Sequence, residues 1–71
     1  MVSYLVLLDF RKTALKGEDR FDAVCAMVGD LIQEHDSEDV EVRYWETLDG
    51  PVLEEDDALD REMVYMEVEC R

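Results

Sequence analysis

The sequence predicts an α+β domain in which one antiparallel-rich sheet carries a single main helix on one face, in the order β-α-β-(β)-β. Three observations lead there. Apolar residues between positions 18 and 35 recur at the 3.6-residue spacing of a helix, while those of residues 40–45 and 63–70 alternate at the two-residue period of a strand. The turn signal Asp49-Gly50-Pro51 separates two of the β segments. The chain is 71 residues long, which makes a single domain (1–71) with a thin core, because a chain of about 60 residues buries only about 60% of its unfolded surface.

Residues 2–10 read as the first strand. Leu, Val and Tyr dominate it, and apolar side chains fall on both faces as far as Asp9, the pattern of a strand central in its sheet. A basic connection follows over residues 11–17. The helix then runs from Glu18 to about His35, with Phe21, Val24, Cys25, Val28, Leu31 and Ile32 on one stripe and the acids Glu18 and Asp19 at the positive end of its dipole. Residues 36–39 break the pattern. Residues 40–48 alternate, Val42 and Tyr44 facing the helix and Glu41, Arg43 and Trp45 facing away. Val52 and Leu53 start a short return strand. Residues 54–62 form an acidic loop with one helical turn near Ala58-Leu59. Residues 63–70 alternate again, with Val64, Met66, Val68 and Cys70 opposite Tyr65, Glu67 and Glu69. A βαββαβ ferredoxin-like arrangement with a stunted second helix is a close variant.

Charge separates this chain from ordinary domains of its size. Twenty acids against seven bases give −13. The first twenty residues hold Asp9, Glu18 and Asp19 against Arg11, Lys12, Lys16 and Arg20, a net of +1; the remaining residues hold seventeen acids and three bases, a net of −14. Such a field repels nucleic acid and anionic membranes and attracts basic protein surfaces. No apolar run approaches the roughly 20 residues that span a bilayer. The opening apolar run lacks the basic leader and cleavage site of a signal peptide. Cys25 and Cys70 fit no CxxC pattern and read as reduced thiols used as small apolar residues, which points to the cytoplasm.

Enzyme chemistry finds little footing. His35, the lone histidine, falls at the helix C-terminus without a neighbouring nucleophile. The three glycines are isolated, so no phosphate loop exists, and Ser3, Ser37, Thr13 and Thr47 lack nucleophile context. The run Glu54-Glu55-Asp56-Asp57 with Asp60 lacks the D-x-[DN]-x-[DN]-G spacing of a calcium loop. The chain is therefore expected to be a non-enzyme without metal or other cofactor. The four bases of the first twenty residues read as intramolecular compensation or as a contact with an acidic part of a partner.

The carboxylates are the remaining constellation. Glu67 and Glu69 are two apart on a strand, about 6.8 Å on one face, comparable to neighbouring phosphates on a nucleic-acid strand. Glu18 with Asp22 and Asp30 with Glu34 are like-charge i, i+4 pairs, each costing about 0.2–0.5 kcal/mol. The expected partner-binding surface comprises Asp22, Asp30 and Glu34 on the helix, Glu54, Glu55, Asp56, Asp57 and Asp60 in the loop, Glu67 and Glu69 on the last strand, and Trp45 as an anchor.

In size, charge and strand-helix-strand order the chain resembles the small phage-encoded anti-CRISPR and anti-restriction proteins, a type without a shared sequence motif. The resemblance implies an inhibitor, a monomer or small homo-oligomer in the cytoplasm of a bacterial or archaeal host, that mimics phosphate charge. Its partner would be the basic, nucleic-acid-binding surface of a CRISPR effector subunit or similar defence complex. Two other readings fit the same charge. One is a housekeeping domain of a halophile, supported by five Arg against two Lys and nine Val against one Ile. The other is a small adaptor or antitoxin-like protein that binds a basic partner without imitating DNA.

Overall fold

The computed structural model describes residues 2–71. The chain runs β1 (Val2–Asp9), a 3₁₀ turn (Phe10–Lys12), α1 (Glu18–His35), β2 (Val40–Trp45), β3 (Val52–Leu53), α2 (Glu55–Leu59) and β4 (Met63–Cys70). The four strands form one sheet in the order β1-β4-β2-β3, and every neighbouring pair is antiparallel. One face of that sheet carries both helices. The fold is α+β, with one main helix on an antiparallel sheet.

β4 occupies the centre because it alone pairs along its length with two partners. Its register sets Val64, Met66 and Val68 opposite Leu8, Val6 and Tyr4 of β1, and sets Met66 and Val68 opposite Tyr44 and Val42 of β2. The strict alternation of β4 follows from this position: Val64, Met66 and Val68 are fully buried, while Tyr65, Glu67 and Glu69 stand half-buried on the other face. The expected central placement of β1 is corrected here. β1 is an edge strand, and its outward residues Leu5 and Leu7 remain 55% and 47% exposed. Apolar residues on both faces describe what a strand offers to its two sides and say nothing of how many neighbours it pairs with.

α1 begins after Gly17, whose φ of 57° suits glycine, and ends at Asp36, which adopts the left-handed conformation (φ 49°). The Ser37 amide then donates to the Ile32 carbonyl at 3.1 Å and closes the helix in the manner of a Schellman motif. The face turned to the sheet presents Val24, buried, with Phe21, Met27, Val28 and Leu31 packed beside it. Cys25, expected on this stripe, is exposed. The packed stripe includes Met27 in place of Cys25. Cys70, by contrast, is buried at the end of β4, and both cysteines are free thiols.

β2 ends at Trp45, short of the expected Leu48. There the Gly50 amide donates to the Thr47 carbonyl at 3.0 Å, and a side chain at position 50 would meet the Thr47 hydroxyl at 2.9 Å. α2 puts its acids Glu55, Asp56 and Asp57 in the first turn and buries Ala58 and Leu59 against the sheet. Arg20 ties the two helices together. Its Nη1 donates to the carbonyls of Leu59 (2.9 Å) and Arg61 (3.1 Å), its Nε donates to the Leu15 carbonyl (3.0 Å), and its guanidinium lies 4.4 Å from the centre of the Phe10 ring. Arg20 is thus internal scaffolding and not part of a basic surface patch.

Candidate functional site

The expected interface residues divide between two faces. α1 and α2 lie on one side of the sheet, and their outward residues Asp22, Asp30, Glu34, Glu54, Glu55, Asp56, Asp57 and Asp60 are all exposed. Trp45, Glu67 and Glu69 lie on the opposite side, half-buried. Flat contact with one partner surface can engage the first group or the second.

On the sheet face the carboxylates are ion-paired and partly compensated. Arg43 sits opposite Glu67 on β4 and reaches Glu67 at 2.9 Å, Glu41 at 2.8 Å and Glu69 at 3.7 Å. Arg71 adds Nε–Glu69 at 2.8 Å, a contact with Asp39 at 3.6 Å and a short ion pair with Glu41. The hydrogen bond from Arg71 holds the Glu69 carboxyl below its ordinary pKa against the opposing cost of desolvation. The two-residue spacing that resembles a phosphate repeat is therefore ion-paired, with two arginines shared among the four carboxylates Asp39, Glu41, Glu67 and Glu69. Trp45 lies opposite Tyr65 of β4 and Val52 of β3, so part of its ring surface is already covered.

On the helical face the carboxylates, Asp57 excepted, are uncompensated among the described residues. Among the described residues seven acids make ion pairs: Asp9, Asp39, Glu41, Glu46, Asp57, Glu67 and Glu69. Thirteen of the twenty have no arginine, lysine or histidine within 4.0 Å among the described residues. Six of these, Glu18, Asp19, Asp22, Asp30, Glu34 and Asp36, belong to α1 and its cap, and Glu54, Glu55, Asp56 and Asp60 belong to α2 and its flanks. Glu55 also accepts a hydrogen bond from the buried Tyr44 hydroxyl at 3.2 Å. Burial, and then the Glu55 charge, raise the Tyr44 pKa. This bond fixes α2 against β2. Asp57 is held loosely by Arg61 at 3.4 Å and stays 56% exposed.

His35 is engaged in packing. The Tyr4 hydroxyl and His35 Nε2 share a hydrogen bond, and the two rings stand 5.3 Å apart. Sequence periodicity does not place these partners together; the return of α1 across the start of β1 does. Arg11, one of the four bases read from sequence as intramolecular compensation or as a contact with an acidic part of a partner, is bound to Asp9 at 2.9 Å. Among the described residues no group of three or more His, Cys, Asp or Glu side chains is arranged to hold a metal ion, and no helix is long and apolar enough to cross a membrane.

These features define a small α+β domain with an acidic helical layer backed by an ion-paired and partly apolar sheet. Comparison with known protein families, with curated proteins and with solved structures yields no match.

Proposed function

We propose that the chain is a non-enzymatic inhibitor that docks its acidic helical layer on the basic, nucleic-acid-binding surface of a defence complex such as a CRISPR effector. The observation that carries this reading is the segregation of free charge. Among the described residues the carboxylates of α1 and α2 share one side of the sheet without cationic partners, Asp57 with its loose contact to Arg61 excepted, whereas those on the other side are paired with Arg43 and Arg71. Uncompensated like charges disfavour folding in a domain this small, yet they are concentrated where a partner can reach them. A partner groove lined with Lys and Arg would neutralise them, and association would be electrostatically steered and weakened by salt.

The supporting experiment is competition. CRISPR effector–guide complexes are mixed with labelled target duplex, with and without the chain, and DNA retention is read by mobility shift. The chain is expected to displace DNA, less so at high salt. The combined variant Glu54→Lys, Asp56→Lys and Asp60→Lys, or Asp22→Lys with Asp30→Lys, is expected to lose that effect, and Glu67→Gln with Glu69→Gln to keep it. Equal binding by all three sets sinks the helical-layer reading. Binding of the chain beside DNA, without displacement, favours an adaptor.

A further inference from the structure

The longest open edge of the sheet lies apart from the acidic layer. β1 pairs with β4 over all eight of its residues and, among the described residues, with nothing on its other side. The Phe10 amide donates to the Glu62 carbonyl at 2.8 Å, in step with the β1–β4 register. Successive residues of an antiparallel ladder alternate in the direction of their backbone groups. Val2, Tyr4, Val6 and Leu8 therefore bond inward to β4, and the amides and carbonyls of Ser3, Leu5, Leu7 and Asp9 point to the open edge.

Sheet edges are commonly guarded by charge, proline, a bulge or brevity. β1 has none of these from Val2 to Leu8: no charge, no proline and an unbroken register. At the far edge β3 is only two residues long. Beside the open edge lies an apolar groove of about 220 Å³ between β1 and α1, lined by Val6, Leu8, Phe10, Leu15, Ala23 and Met27. An edge next to such a groove suits strand addition, in which main-chain bonds supply affinity and alternate side chains fill the groove.

Charge selects the occupant. Over residues 21–71 the net charge is −14, so a second copy is repelled there; over the first twenty residues it is +1. The β1 edge is where two such acidic chains meet with the least mutual repulsion, and β1 itself is the apolar strand that the edge and groove would accept. We propose that two copies of this chain join β1 to β1, antiparallel about a two-fold axis, into one continuous eight-stranded sheet. Centred on Val6, this pairing sets Leu5 of one copy opposite Leu7 of the other and Ser3 opposite Asp9, so the two Asp9 carboxylates stay apart. Both helical layers then lie on the same side, which extends the acidic face across the dyad. The dimer does not depend on what that face binds.

Analytical ultracentrifugation of the full chain tests the proposal. The expected mass is twice the 8.3 kDa of one copy, with dimerisation strengthened by salt as residual repulsion is screened. Leu7→Pro removes an open-edge amide while sparing the inward ladder, and it is expected to yield monomer. Leu48→Ser, at a position 54% exposed in the β2–β3 connection, is expected to leave the dimer intact. A monomer at every concentration and salt level overturns the proposal, as does a dimer lost with Leu48→Ser and kept with Leu7→Pro. Should the proline variant lose its circular dichroism, amide exchange on the unsubstituted chain decides. Protection of the Leu5 and Leu7 amides that grows with protein concentration supports β1 pairing. Fast exchange of both amides at the highest concentration refutes it, whether the edge is free or reserved for another protein's strand.

Discussion

Arg20 lies over the Phe10 ring, its guanidinium carbon 4.4 Å from the ring centre, and from there it donates to the carbonyls of Leu15, Leu59 and Arg61. One side chain thus joins the end of β1, the start of α1 and the end of α2. Hydrogen bonds from a charged group contribute about 1.5–3 kcal/mol each at most, and partial exposure lowers that. Arg20→Ala is expected to destabilise the domain by about 2–3 kcal/mol, read as a fall in the urea midpoint. Arg20→Lys should recover little, because an ammonium cannot match three carbonyls in the plane of a fork. A midpoint unchanged in Arg20→Ala rules out the joint.

Asp9 gives the domain an acid-sensitive contact. The hydrogen bond from the Arg11 side chain holds its pKa at about 2, against an ordinary 3.8. A depressed carboxylate pKa stabilises the fold above the unfolded value, and the contribution fades as pH falls from about 3.8 toward about 2. Asp9→Asn is therefore expected to flatten the acid limb of the stability profile in that window and leave the slope near neutrality unchanged. An identical acid limb in the variant removes Asp9 from the account.

Like-charge neighbours on α1 set the response to salt. Glu18 with Asp22 and Asp30 with Glu34 lack compensating partners among the described residues. The domain is expected to unfold cooperatively at low salt, with a melting temperature that rises with KCl. Asp30→Asn should gain about 0.2–0.5 kcal/mol at low salt and nothing at molar salt. A chain that folds only in molar salt identifies the acidity as adaptation to brine and withdraws support from the inhibitor reading.

Thiol chemistry distinguishes the cysteines. Cys25 is exposed on α1 and Cys70 is buried on β4. A thiol reagent is expected to label one equivalent rapidly in the native domain and the second only on unfolding. Peptide mapping should place the first label on Cys25. Rapid labelling of both indicates that the end of β4 frays.

The elements were legible in the sequence wherever one face met water and the other met the core. β4 alternates cleanly because Val64, Met66 and Val68 are walled in while Tyr65, Glu67 and Glu69 are not, and α1 declared itself by its stripe and its acids. β1 misled because Leu5 and Leu7 occupy an open face, where an apolar residue carries no trace of its missing cover. For the site, exposure of the acids on α1 and α2 follows from periodicity and composition. The ion pairing of Glu67 and Glu69 does not. It requires the β2–β4 register that sets Arg43 opposite Glu67, and that pairing spans 24 residues. Arg20 was legible as a base but not as a cap, because its acceptors lie 39 and 41 positions away.

The central strand of the sheet is also its last in sequence, and this governs how the molecule is made. β1, β2 and β3 leave the ribosome before β4, yet neither β1 nor β2 can complete its main ladder until residues 63–70 follow. β1 therefore stays unpaired until residues 63–70 have been made. Assembly awaits contacts between residues 2–9 and 63–70, far apart in sequence, a topology that slows folding.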